Sequence, residues 1–195
     1  MRLLLLRHGR TTQPPGTLVG SRHDPGLSDS GREQARAAAR VLRGRHFAAV
    51  ICSPLRRARE TATLALPDTS LRIEPRLQEL DWGDITGFTF AQVEDQFPET
   101  AAAWLRDGWP SPPNGEHPQA LWRRVAAALL DLHAEHPHGD VLVVCHGGVI
   151  RAALGAARGL NVGAAWRVRT PHATLRVQNA TPLALARWRA VVEVH

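Results

Sequence analysis

The chain predicts an α/β fold: a three-layer α/β/α sandwich with a mostly parallel central sheet and helices on both faces. Three observations predict it. Residues 3–6, 48–52 and 141–145 are short apolar runs, the signature of strands buried on both sides. Each run is followed, directly or after a loop, by a turn and then a helical pattern. No linker or internal repeat divides the 195 residues, so 1–195 reads as one domain.

The elements follow in order. The first strand is Leu3-Leu4-Leu5-Leu6. Ser30-Gly31-Arg32-Glu33 has capping-box spacing, and the Ala-rich stretch after it predicts a helix ending near Gly44. The second strand leads through Ser53-Pro54 into a helix that ends near Leu66, before Pro67. Residues 88–106 read as helical with a break near Pro98, and Pro110-Ser111-Pro112-Pro113-Asn114-Gly115 forms a loop. Pro118 suits the first turn of a helix whose stripe is Leu121, Val125, Ala128, Leu129 and Leu132, ending at Pro137. The third strand passes into a helix over 148–158. Two alternating runs, 173–178 and 183–188, predict a pair of strands at one edge.

Composition excludes several classes. An apolar share of 44% and a charged share of 22% exclude disorder. All 24 cationic residues are Arg, and the net charge is +6. They are spread along the chain, with no basic tail or aromatic-basic stripe, so nucleic acid is not an expected partner. The four N-terminal leucines are too few for a secretory leader or a membrane span, and a soluble, cytoplasmic protein is expected. Cys52 and Cys145 end apolar strands and read as reduced, buried thiols. With no CxxC or HExxH, no metal and no cofactor is expected.

Ligand sites of open α/β sheets lie beyond the carboxyl ends of the strands. Here those ends deliver Arg7-His8-Gly9, Ser53-Pro54 with its following arginines, and His146-Gly147-Gly148. Either histidine alone reads as structural. Two strands that both end in His-Gly make coincidence a weaker account. Arg56, Arg57 and Arg59 open a helix, where cations oppose the dipole, and such local conflicts tend to mark function. Two imidazoles among guanidiniums suit a phosphoryl group. The arginines neutralise its oxygens, an uncharged imidazole attacks phosphorus, and a nearby carboxyl group must protonate the leaving alkoxide.

Several segments carry a resemblance. Leu6-Arg7-His8-Gly9-Arg10-Thr11 looks like the RHG signature of the histidine phosphatase superfamily, the phosphoglycerate mutase-like family. Leu27-Ser28-Asp29-Ser30-Gly31-Arg32-Glu33-Gln34-Ala35 and Ser53-Pro54-Leu55-Arg56-Arg57-Ala58-Arg59-Glu60-Thr61-Ala62 resemble two further motifs. Leu77-Gln78-Glu79-Leu80-Asp81-Trp82-Gly83 resembles a fourth, and Val144-Cys145-His146-Gly147-Gly148-Val149-Ile150-Arg151 the second-histidine motif. Five motifs in the family order cover nearly the whole chain.

The resemblance implies residue roles. His8 matches the nucleophile that becomes phosphohistidine, and His146 the second histidine, on the phosphoryl oxygens. Glu79 matches the acid that protonates the leaving group. Arg7 and Arg57 match phosphate-binding arginines, with Arg56 at the variable position and Arg59 solvent-facing or structural. Gly147 offers close backbone approach to phosphate. Glu116 is expected to orient the site indirectly, and His117 to be an exposed helix start. The family often has Asn a few residues after RHG. This chain has Pro14-Pro15 there, leaving Thr11 as the hydroxyl candidate.

Residues about 84–116 are expected to form a small helical cap. Trp82, Phe88, Phe90 and Trp104 are its candidate wall residues, and Trp109 lies in the same apolar, acidic stretch. The family's cofactor-dependent mutases have a longer, basic insertion there. The resemblance therefore implies a metal-independent phosphomonoesterase acting on a small phosphorylated metabolite, nearest the α-ribazole and broad-specificity branch. A phosphoglycerate mutase and a non-catalytic phospho-ligand binder are the alternatives. An edge strand and exposed tryptophans are compatible with a homodimer. His172 could face the site or solvent.

Overall fold

The computed structural model describes residues 1–108 and 111–193. Five strands form one sheet: β1 (Arg2–Arg7), β2 (Ala49–Cys52), β3 (Arg72–Ile73), β4 (Asp140–Cys145) and β5 (Leu175–Asn179). Their order is β3-β2-β4-β1-β5, parallel throughout except for β5 against β1. The helices are α1 (Asp29–Leu42), α2 (Arg56–Ala65), α3 (Phe90–Gln96), α4 (Pro98–Asp107), α5 (Pro118–Glu135), α6 (Gly147–Arg158), α7 (Val162–Trp166) and α8 (Pro182–Glu193).

The pleat sorts β1 between two cores. Leu4 and Leu6 join Ala38, Leu42, Ala58 and Ala62 of α1 and α2. Leu3 and Leu5 face the other way, toward Leu121, Val125 and Leu129 of α5, residues of α6, and Trp188 of α8. These are the predicted three layers.

Two local expectations are corrected. Residues 183–188 are helical. Pro182 occupies the first turn, the Ala184 N–H donates to Thr181 Oγ1 (3.2 Å), and Ala184 and Trp188 are buried one turn apart. The cap of α1 is Ser28, whose hydroxyl accepts from the Gly31 N–H (3.1 Å), two residues before the expected Ser30. Among the described residues the exposed tryptophans expected for a homodimer are not found: Trp82, Trp104, Trp122 and Trp188 are buried and Trp166 is partly so. Trp109 and Pro110 lie outside the described residues. No described helix is long and apolar enough to cross a membrane.

Candidate active site

The carboxyl ends of β1, β2 and β4 are locked in register. Arg7 pairs with Cys145 and Cys52 with Val144; the His8 N–H donates to Cys145 O (2.9 Å) and the Ser53 N–H to Val144 O (3.0 Å). His8, Ser53 and His146 therefore emerge side by side. The His8 and His146 rings lie 5.1 Å apart, and His146 Nε2 is 2.7 Å from Ser53 Oγ. His8 Nδ1 is 2.7 Å from Gly9 O; as donor it leaves Nε2 with a lone pair. His146 Nδ1 is buried without a partner.

The turn after His8 is braced from two sides. The Gly9 N–H donates to Thr61 Oγ1 (3.0 Å) and the Arg10 N–H to Gln34 Oε1 (3.0 Å). A Cβ on Gly9 would meet Gly31 O at 2.4 Å, so two glycines permit this approach of β1 to α1.

The cations that open α2 are tolerated because Asp24 caps the helix. The Arg56 N–H donates to its carboxylate (2.8 and 2.9 Å). Arg57 is buried, donating to Gly20 O (2.7 Å) and His23 O (3.1 Å); Arg56 and Arg59 are exposed. Arg7 donates to Thr170 O. Both Arg7 and Arg57 keep a buried Nε with no partner. Burial pulls their pKa values down, that of Arg7 to about 10, partly opposed by the Glu79 charge. Burial, reinforced by Arg57 and Arg7, holds His8 well below the usual imidazole range. Burial, then Arg57, His8 and Arg7, does the same to His146.

Glu79 enters from the loop after β3. Its carboxylate accepts from the Leu80 N–H (2.9 Å) and from the Gly148 N–H (3.0 Å) at the start of α6. A Cβ on Gly148 would stand 2.2 Å from Glu79 Oε1. A Cβ on Gly147 would stand 3.5 Å from Arg7 Cζ, so that glycine faces the cations. Arg124 of α5 holds the Glu79 loop from behind. It donates to Arg76 O (2.6 Å), Gln78 O (2.7 Å) and Glu79 O (3.1 Å), and Glu116 grips its guanidinium twice (2.7 and 2.8 Å). Glu116 thus reaches the site through Arg124, and His117 is the exposed N-cap of α5.

Sequence reasoning missed Arg124, although a charge three residues from Leu121, beside the apolar stripe, is its signal. It left His172 open; the ring lies 5.4 Å from His8 and lines the cavity. Burial, with Arg7 and Arg10, lowers its pKa to about 4. Ala173 beside it is left-handed (φ 50°), and its N–H donates to His8 O (3.2 Å).

Beside these groups opens a cavity of about 260 Å³ with Arg7, His8, Thr11, Arg57, Glu79 and Gly147 on its walls; His146, fully buried next to His8, is not on the wall. The 13–20 loop, including Pro14 and Pro15, forms another side. Of the four candidate aromatics only Trp82 lines it. Trp104 stacks behind Trp82 (5.2 Å), Phe90 packs on Trp104, and Phe88 packs on Phe97. Among the described residues, no His, Cys, Asp and Glu cluster has metal-binding geometry.

Known proteins are similar to this chain. The chain is 36% identical over 179 residues to the bifunctional protein Rv2228c of Mycobacterium tuberculosis, spanning 90% of this chain but about half (49%) of that protein. It is 37% identical over 166 residues to the glucosyl-3-phosphoglycerate phosphatase of the same organism, covering 80% of this chain and 74% of that one. The crystal structure of a putative α-ribazole-5'-P phosphatase from Escherichia coli superposes with a TM-score of 0.83 at 31% identity, covering 94% of this chain and 92% of the other. The model of the histidine phosphatase superfamily (branch 1) matches residues 3–183, and the chain belongs to that superfamily.

Proposed function

We propose that the protein hydrolyses phosphate monoesters of small metabolites through a phosphohistidine at His8. The observation that carries this reading is the state of His8. Its ring is fixed by Gly9 O and held neutral among buried guanidiniums, and it opens on the cavity with Nε2 unbonded. Arg7 and Arg57 bind the phosphoryl oxygens, with Thr11 and the Gly147 backbone beside them. His8 Nε2 attacks phosphorus as the ester P–O bond breaks, and a protonated Glu79 gives its proton to the leaving oxygen. His146, positioned by Ser53, donates from Nδ1 to the phosphoryl oxygens as charge develops there. Glu79 then takes a proton from water. The water oxygen attacks phosphorus, the P–N bond breaks, and its electron pair returns to Nε2 as inorganic phosphate departs.

No metal is needed in this sequence, because the arginines supply the positive charge. Hydrolysis is favoured over a mutase because, among the described residues of 84–116, none brings a cation to the cavity wall. Two buried, reduced thiols fit a cytoplasmic setting. The test is phosphate release from an aryl phosphate in excess EDTA, comparing wild type with His8→Ala. Turnover that persists in EDTA and disappears in the variant supports the reading. Turnover that survives His8→Ala overturns it.

A further inference from the structure

We propose that the cavity holds a second anion subsite, formed by Arg151 lying over Trp166, which takes a carboxylate on the leaving group of the substrate. The proposal rests on the phosphatase reading and adds the chemical class of the ester. Arg151 projects from α6 one turn beyond Gly147 and Gly148, on the same face of the helix. Gly148 faces Glu79 and Gly147 faces both Arg7 and Arg151, so Arg151 stands beside the phosphoryl cations at the start of the helix that also meets the acid. Its guanidinium carbon is 4.5 Å from the centre of the Trp166 ring, and its Nε donates to Trp166 O (3.0 Å) and Val168 O (3.2 Å). Those contacts fix the plane of the group and use one of its three nitrogens. Nη1 and Nη2 bond nothing among the described residues, and no carboxylate pairs with them. A Cβ on Gly147 would be 3.2 Å from Nη1, which places that nitrogen at the cavity wall.

Charge leads to the same conclusion. Arg7, Arg57 and Arg151 bring three positive charges to the cavity, while His8, His146 and His172 are held neutral. Arg10 at the exposed rim is a fourth cation on the cavity, and Asp24, 3.7 Å from Arg57, offsets one of the four. Glu79 must be protonated to act as the acid. A phosphate monoester dianion then neutralises two of the three positive charges, and one remains. Arg151 is the cation beyond the Arg7–Arg57 pair assigned to the phosphoryl group, and the Glu79 charge acts on it directly, so it stands within reach of the acid. A flat guanidinium with two free, parallel N–H groups matches a carboxylate in a bidentate pair.

The experiment compares phosphoglycolate with 2-hydroxyethyl phosphate, which differ by a carboxylate in place of a hydroxymethyl group. Steady-state kinetics are measured for wild type, Arg151→Leu and Arg151→Lys. Wild type is expected to favour phosphoglycolate in KM by about tenfold or more, the worth of one charge-assisted pair. Arg151→Leu should bring the ratio near one. Arg151→Lys, which keeps the charge but loses the fork and the stack, should retain only part of it, and it decides the question if the leucine variant does not fold. Equal use of both esters by wild type, or an unchanged ratio in either folded variant, overturns the subsite. Turnover of neither ester by wild type counts against the phosphatase reading alone. Calorimetric Kd values for the same two esters, compared between wild type and Arg151→Leu, then decide the subsite by the same ratio.

Discussion

Gly148→Ala separates catalysis from folding at one atom. The new methyl carbon would stand 2.2 Å from Glu79 Oε1, where ordinary contact begins near 3.4 Å, so the carboxylate must retreat by about 1.2 Å. It cannot do so and keep the 3.0 Å bond from the Gly148 N–H. Leu121 Cδ2, at 3.3 Å, need yield only slightly. A misplacement of about 1 Å in a reacting group can cost about 100-fold, and a general acid contributes about 100- to 10,000-fold. Position 148 is helical, where Ala is favoured over Gly by up to about 1 kcal/mol, so the fold should not suffer. The expected kcat/KM on an alkyl phosphate, which reads the transfer to His8 and not the later hydrolysis that Glu79 also serves, is about 100-fold lower. On p-nitrophenyl phosphate, whose leaving group departs as a stabilised anion, the loss should be under about tenfold. Thermal unfolding should stay within a few degrees of wild type. An equal loss of kcat/KM on both substrates, or full activity on the alkyl ester, would refute the assignment of Glu79 as the acid.

Arg124→Met strips donors from three carbonyls and leaves Glu116 unpaired, so kcat should fall more than tenfold while Glu116→Gln, which keeps one hydrogen bond, falls less; equal behaviour of the two would argue against positioning through Arg124. Trp188→Ala empties a fully buried site and frees Ala153 O, costing about 3–5 kcal/mol in urea unfolding. Stability should also fall as pH drops below about 6.5. There the unfolded chain protonates imidazoles that burial keeps neutral at His8 and His146, and at His172 until about pH 4, each contributing up to about 1.4 kcal/mol per pH unit. Urea unfolding at pH 7, 6 and 5 reads that slope above the range where most carboxylates titrate, and a flat profile would contradict it.

The parts of this molecule visible in its sequence are those where local chemistry and fold agree. His8 and His146 could be placed because each ends an apolar run that only a buried strand explains. Arg56, Arg57 and Arg59 stood out together because cations at a helix start need a reason, and the family motif singled out Arg57; Asp24, which supplies the cap, is remote in sequence and stayed hidden. Glu79 required the family motif, since its neighbours Asp81 and Asp84 look alike without tertiary information. Arg124 and Arg151 act across 45 and 15 residues, through carbonyl groups that leave no mark on side-chain patterns. The 183–188 helix was misread because Leu-Ala alternation mimics a strand over six residues. Pro182 and the one-turn pairing of Ala184 with Trp188 decide the period only once α5 and α6 are there to bury them. Strand β3, two exposed residues long, has no apolar run to reveal it.

The most direct test is to quench turnover of an alkyl phosphate in alkali and map the protein by peptide mass spectrometry. One acid-labile, alkali-stable phosphoryl group on His8, absent from His8→Ala and accumulating in Glu79→Gln with an aryl phosphate, is the predicted result. Active enzyme that never carries phosphate on His8, or carries it on His146 instead, would contradict the account.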